Sequence, residues 1–190
     1  INGAIVALNT AELLRLDAGQ RMRHAGRLRD RLAELRQELG IRFPVYVIVT
    51  KADLLHGFSE YFHSLTSEGR AQPWGFTLPY EGMNGKPRTS AAAIAEGQEA
   101  LRSRLRTEFG LLKGRLDMGL RTRLNEEYDL ERRHQLLGLP QEMHALIEPL
   151  VQVLDEIFLD SRFDNTQYHN ALRGVYFTSG AQGGVPVPAD

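Results

Sequence analysis

Read for polarity alone, the chain alternates between short apolar runs and long segments with an apolar residue at every third or fourth position. The runs IVAL at 5–8, after Asn2 and Gly3, and VYVIV at 45–49, after Pro44, have the length and unbroken apolar character of buried strands. Between them, Asn9 and Thr10 suit a helix N-cap and Glu12 suits a first turn. Ala25, Leu28, Leu32, Leu35 and Leu39 then form one stripe. The pattern predicts a single helix from about residue 10 to 39. Arg27, Arg29, Asp30, Arg31 and Glu34 would lie on its outer face, with Gly40 as a left-handed C-cap. A strand, a long helix and a second wholly apolar strand make a βαβ unit and therefore a parallel pair. Because VYVIV does not alternate, both faces of that strand are expected to be covered.

A short helix is predicted over 54–65, and the Pro- and Gly-rich stretch AQPWGFTLPYEGMNGKPRTS at 71–90 reads as loop. From residue 91, Leu101, Leu105, Phe109, Leu112, Leu116, Leu120 and Leu124 mark a long amphipathic helix. It is expected to run on to Leu137, where Gly138 and Pro140 stop it. A second helix over 141–159 turns Leu146, Leu150, Val153, Leu154 and Ile157 inward. GVYFTSG at 174–180 is a last strand ending in a loop of small residues, and the GGVPVP tail should be irregular. With no internal repeat, the order predicts one α/β domain: a parallel sheet flanked by helices, with a long helical insertion over 91–159.

Composition fits that picture. The 190 residues are 42% hydrophobic and 25% charged, with a formal net charge of −1, which gives no bulk attraction for nucleic acid or an acidic membrane. Cysteine is absent, so disulfides and thiolate metal sites are excluded and a reducing compartment fits. No apolar run approaches the roughly 20 residues that span a bilayer. The chain opens on Ile1-Asn2-Gly3 without Met or a leader pattern, and reads as a piece of a longer polypeptide.

Thr50-Lys51-Ala52-Asp53 follows the second strand. Ligands of open α/β sheets bind outside the carboxyl ends of the strands. An Asp placed there can accept hydrogen bonds from N1 and the exocyclic amine of guanine, while a Lys stem lies along the purine face. The plain alternative is that Asp53 caps the next helix and Lys51 is solvated. Thr178-Ser179-Gly180-Ala181 follows the last strand, where small residues let backbone N–H groups approach a ligand, or simply make a turn. The six His residues form no His-x-x-x-His pair, and no G-x-S-x-G elbow exists. Arg102, Arg104, Arg106, Arg121 and Arg123 are interleaved with Glu108, Asp117, Glu126 and Glu127, which reads as a solvated or protein-docking helix face. Trp74 and Phe76 are either an exposed anchor for a partner or a buried loop plug.

The strings RAQPWGFTLPY at 70–80, LRGVYFTSGAQGGVP at 172–186 and FPVYVIVTKADLL at 43–55 resemble the IcmF/TssM family, large inner-membrane components of the type VI secretion system. INGAIVAL followed by a long charged helix resembles it too. The resemblance implies that residues 1–190 are the carboxyl-terminal part of one GTPase-like cytoplasmic domain. On that reading Thr50, Lys51 and Asp53 align with a base-specificity motif, and Ser179, Gly180 and Ala181 with a second base-contacting loop. Thr50 departs from the commoner Asn. No G-x-x-x-x-G-K-[ST] phosphate loop is present, and Gly85-Lys86 followed by Pro87 does not qualify. The residues here would read a base without holding a triphosphate, so this chain by itself would carry no cofactor and no catalysis. GTP or ATP with Mg²⁺ would belong to the full-length protein. The implied role is a scaffold on the cytoplasmic face of the bacterial inner membrane. It would contact other membrane-complex and baseplate subunits and no nucleic acid, and would meet the membrane only through other parts of the full-length protein. A nucleotide-driven switch is the alternative.

Overall fold

The computed structural model describes residues 3–41, 43–63, 65, 68–69, 72–79, 91–159 and 172–180. Four strands, β1 (Ala4–Asn9), β2 (Val45–Thr50), β3 (Trp74–Thr77) and β4 (Leu172–Phe177), form one sheet in the order β1-β2-β4-β3. β1, β2 and β4 run parallel, with Val6 opposite Val47 and Val47 opposite Val175. β3 is antiparallel to β4, with Phe76 opposite Val175. The class is α/β, as the sequence predicts, but the sheet is mixed.

The strand β3 falls inside the stretch expected to be loop. Trp74 and Phe76 alternate with Gly75, whose φ is +155° and where a Cβ would lie 2.2 Å from the Val175 carbonyl oxygen. Only glycine allows β3 to approach β4 this closely. Phe76 is buried edge-on to Phe109, and the half-buried Trp74 packs on Phe58, Phe62 and Phe177, so the pair is packed against the core. Residues 80–90 of the expected loop and the 181–190 tail lie outside the described residues.

The first predicted helix is two: α1 (Thr10–Arg15) and α2 (Ala18–Leu39). Leu16 is extended, and Asp17 restarts the chain with a capping box, its side chain accepting from Gln20 N–H and the Gln20 side chain accepting from Asp17 N–H. Gly40 is the left-handed C-cap expected of it, at φ 60°. The stripe is buried only in its middle: Ala25 and Leu32 are inside, whereas Leu35 and Leu39 are exposed. Arg29, expected on the outer face, is buried, and its guanidinium donates to Glu156 at 2.6 Å. The short helix predicted after β2 is a single 3₁₀ turn (Ala52–Leu54) followed by α3 (Phe58–His63).

The helical insertion is a hairpin of α4 (Ala91–Glu126) and α5 (Leu130–Phe158). α4 stops eleven residues before the predicted Leu137, and α5 runs straight through Gly138, Pro140 and Pro149. Two local features set the turn. The Asp129 side chain accepts from the N–H groups of Glu131 and Arg132, and Arg133 donates to the Leu124 and Glu127 carbonyl oxygens at the end of α4. Burial of Leu136, Leu139, Met143 and Leu146 on both sides of Pro140 outweighs the backbone hydrogen bond that proline forfeits. α5 is the hub of the helical layer and contacts α1, α2, α3 and α4.

All these helices pack on one face of the sheet. Val6, Leu8, Val45, Val47, Val49, Val175, Phe177 and Phe76 join α4 and α5 in one continuous core. Tyr46 and Ile48 point the other way and are only half-buried, so the expectation that both faces of β2 are covered fails within the described residues. The physical reason is connection handedness. β1 to β2 and β2 to β4 step in the same direction across the sheet, and right-handed crossovers in one direction lie on one side.

Candidate functional site

Parallel strands place the loops after β1, β2 and β4 on a single rim. Backbone hydrogen bonds join the last two: Thr178 N–H donates to Val49 O at 2.9 Å, and Ala52 N–H donates to Thr178 O at 3.1 Å. Side chains join the first two: Thr10 Oγ1 donates to Thr50 O at 2.8 Å, and Thr50 Oγ1 donates to Leu8 O at 3.2 Å. The Thr50-Lys51-Ala52-Asp53 segment and the start of the Thr178-Ser179-Gly180 loop are therefore neighbours.

Within the rim the predicted residues differ in posture. The Thr50 hydroxyl is committed to β1 through Leu8 O. Lys51 is exposed and takes a left-handed backbone, φ 59° and ψ 40°, the only non-glycine residue with positive φ among the described residues. That conformation ends β2 abruptly and lets Ala52 N–H reach the β4 loop. Lys51 heads the 3₁₀ turn without a side-chain cap. Asp53 lies inside that turn, so it is not the N-cap of a following helix, while Lys51 is exposed as the plain reading has it. Its Oδ1 is buried and accepts no hydrogen bond from a described residue. Ser179 and Gly180 are exposed, and a Cβ at Gly180 would meet nothing within 4 Å. Ala181 lies outside the described residues. Chemically, the rim offers a carboxylate oxygen lacking a donor, a flexible cation on an aliphatic stem, and open backbone beside them. Among the described residues no group of three or more His, Asp and Glu is placed to hold a metal ion.

The rim is bolted to the helical hairpin. Gly57, at φ +78°, sits where a Cβ would lie 2.2 Å from the Gln135 carbonyl oxygen of α5. One turn on, Gly138 makes room for the His56 ring, and a Cβ there would be 2.6 Å from Nδ1. Within the hairpin, Arg102 of α4 donates to both oxygens of Asp155 of α5 at 2.7 and 3.1 Å. Tyr61 of α3 donates to Leu116 O at 3.1 Å, with the Arg123 guanidinium 3.9 Å from its ring centroid. Burial raises the Tyr61 pKa above its usual value, with the Arg123 charge acting in the opposite sense.

Sequence reasoning offers the helical insertion over 91–159 as a docking element on its amphipathic, charged character, and misses the apolar residues exposed on it. Leu111 and Met118 of α4, Tyr128 in the turn, and Leu130 and Leu137 of α5 are large, apolar and exposed, with Tyr128 at 90%. Arg104, Lys113 and Arg121 of α4 are exposed as well. The signal was present: these residues fall out of phase with the buried stripe. No described helix is long and apolar enough to cross a membrane.

The chain matches the IcmF-related N-terminal domain over residues 1–190. A relative in Pseudomonas aeruginosa PAO1, the type VI secretion system component TssM1, is 40% identical over 187 residues. That alignment takes in 98% of this chain and 16% of the relative, so the chain spans about one sixth of the relative's length. No solved structure matches it. A match from the first residue to the last, joined by 40% identity across nearly the whole chain, places this protein in the IcmF-related N-terminal domain family.

Proposed function

We propose that this domain is a scaffold of a type VI secretion apparatus, and that it docks other membrane-complex and baseplate subunits through the α4–α5 hairpin. The observation that carries this reading is the exposed apolar set Leu111, Met118, Tyr128, Leu130 and Leu137 on an otherwise charged arm. Aromatic and aliphatic anchors of this kind are disfavoured in water and typical of interface centres. Residues 1–190 then act as the carboxyl-terminal part of one GTPase-like domain, with 91–159 as a helical insertion. The domain sits on the cytoplasmic face of the bacterial inner membrane, held by parts of the polypeptide outside residues 1–190. The test is co-purification of the intact protein carrying Tyr128→Asp and Leu130→Asp. Both side chains stand clear of the core, so the thermal transition should stay in place while other secretion subunits are lost. Undiminished co-purification contradicts the reading.

The unpartnered oxygen of Asp53 favours a second reading, a nucleotide-binding switch. Asp53 accepts from the base, the Lys51 stem covers the purine face, and Ser179, Gly180 and Ala181 supply backbone contacts. Thr50 acts indirectly by holding the loop to β1. GTP or ATP with Mg²⁺ would be retained by a phosphate loop elsewhere in the longer polypeptide. Labelled GTP should bind the intact protein, and Asp53→Ala should weaken it at least tenfold, the scale of about 1.4 kcal/mol for hydrogen bonds to a charged group. An unchanged affinity removes the switch reading for this site.

A further inference from the structure

The sheet face turned away from the helices is apolar and open. Ile5 is 67% exposed, Ala7 is exposed, and Tyr46, Ile48 and Tyr176 are half-buried. None of the five belongs to the core that joins the strands to the helices. The register sets Ile5 beside Tyr46 and Ile48 beside Tyr176, so they form one patch across three strands. The patch is flat. The Tyr176 ring lies over two glycines, so that a Cβ at Gly174 or Gly75 would come within 2.9 Å of it. The Tyr46 and Tyr176 rings are 6.5 Å apart, and the Tyr176 hydroxyl shares a hydrogen bond with Thr77. A flat surface with an aromatic centre and an aliphatic margin suits the apolar stripe of a helix.

Three considerations identify what covers it. Runs of parallel strands such as β1, β2 and β4 are typically covered on both faces. The described helices of both connections between β1, β2 and β4 lie on the other face, as right-handed crossovers in one direction do. Polypeptide that comes before β1 or after β4 is topologically free to cross here. β1 also has a single neighbour, β2, among the described strands, which leaves its outer edge free for another strand of the same chain. Finally, a relative 40% identical to this chain is about six times its length, so polypeptide is at hand to do it. We propose that a helix from the same polypeptide, outside residues 1–190, packs across Ile5, Tyr46, Ile48 and Tyr176. The proposal stands whether or not the rim binds a nucleotide.

The test uses the intact protein, with p-benzoyl-phenylalanine introduced in place of Ile5 or, separately, Tyr176. Isotope-mixed copies separate contacts within a molecule from contacts between molecules. The expected result is an intramolecular crosslink from both positions to one segment outside 1–190, at residues three or four apart. Crosslinks to a second copy, to another subunit or to residues within 1–190 overturn the proposal, as does the absence of crosslinks at both positions. Hydroxyl-radical footprinting of the unsubstituted intact protein guards against a disturbed variant. Tyr46 and Tyr176 should be oxidised several-fold less than the fully exposed Tyr128, and equal oxidation of the three also overturns the proposal.

Discussion

The two faces of the sheet are built from alternate residues of the same strands, yet their surroundings are opposite. On β2, Val45, Val47 and Val49 are fully buried, while Tyr46 and Ile48 between them are only partly covered. The apolar character of the two sets is alike. What separates them is the path of the chain, which carries every described helix over the valine side. Hydrophobicity along a strand therefore tells which residues can be buried, and connectivity tells which are buried within a given length of polypeptide.

Breaking the covered face should have the largest effect. Val47→Asp places an unpaired charge in the core, a cost of at least about 4 kcal/mol against a typical total of 5–15, and the cooperative thermal transition of the chain should be lost. Ile48→Asp, one residue away, should cost only about 1 kcal/mol through strand propensity and leave a cooperative melt a few degrees lower. Similar losses from the two would dissolve the contrast.

Tyr61→Phe sharpens it from the helical side. Loss of the hydroxyl contact with Leu116 O should cost about 1 kcal/mol at neutral pH, read by chemical denaturation. Because burial raises the Tyr61 pKa in the folded state, its contribution is complete below pH 10 and falls away as pH rises through the folded value. The unsubstituted chain should therefore lose stability above pH 10 faster than Tyr61→Phe, and parallel profiles would show that this ring is not the alkaline-sensitive group.

The smallest effect belongs to the rim. Asp53→Ala removes a buried oxygen lacking a donor and disturbs no helix cap, so the melting temperature should stay constant or rise slightly. A clear fall would mean that Asp53 serves the fold instead of a ligand.

Much of this architecture is legible in the sequence. β1, β2, β4, the Gly40 cap and the burial of the α4 and α5 stripes follow from apolar spacing and cap chemistry, because each is fixed locally. The rim is legible as well, since parallel strands that are neighbours in the sheet must end together. The failures have a common origin in tertiary contact. β3 hides in a Pro- and Gly-rich stretch because the glycine that looks like a loop residue is what permits close pairing with β4. Pro140 does not stop α5 because Leu136, Leu139, Met143 and Leu146 on either side of it are buried. Arg29 sits on what the helical stripe makes an outer face, and only the position of Glu156, 127 residues away, turns it into an inner one. The orphaned oxygen of Asp53 belongs to the same class: the residue type is visible in the sequence, its lack of a partner only in three dimensions.

Thiol labelling tests the central contrast most directly, because the chain has no cysteine to give a background. In the 190-residue chain, Val47→Cys should react only through global unfolding, whereas Ile48→Cys should react from the folded state. The account predicts that Ile48→Cys is labelled faster by a factor on the order of 10³ or more. Comparable rates at the two positions would mean that the faces are covered alike, and would contradict it.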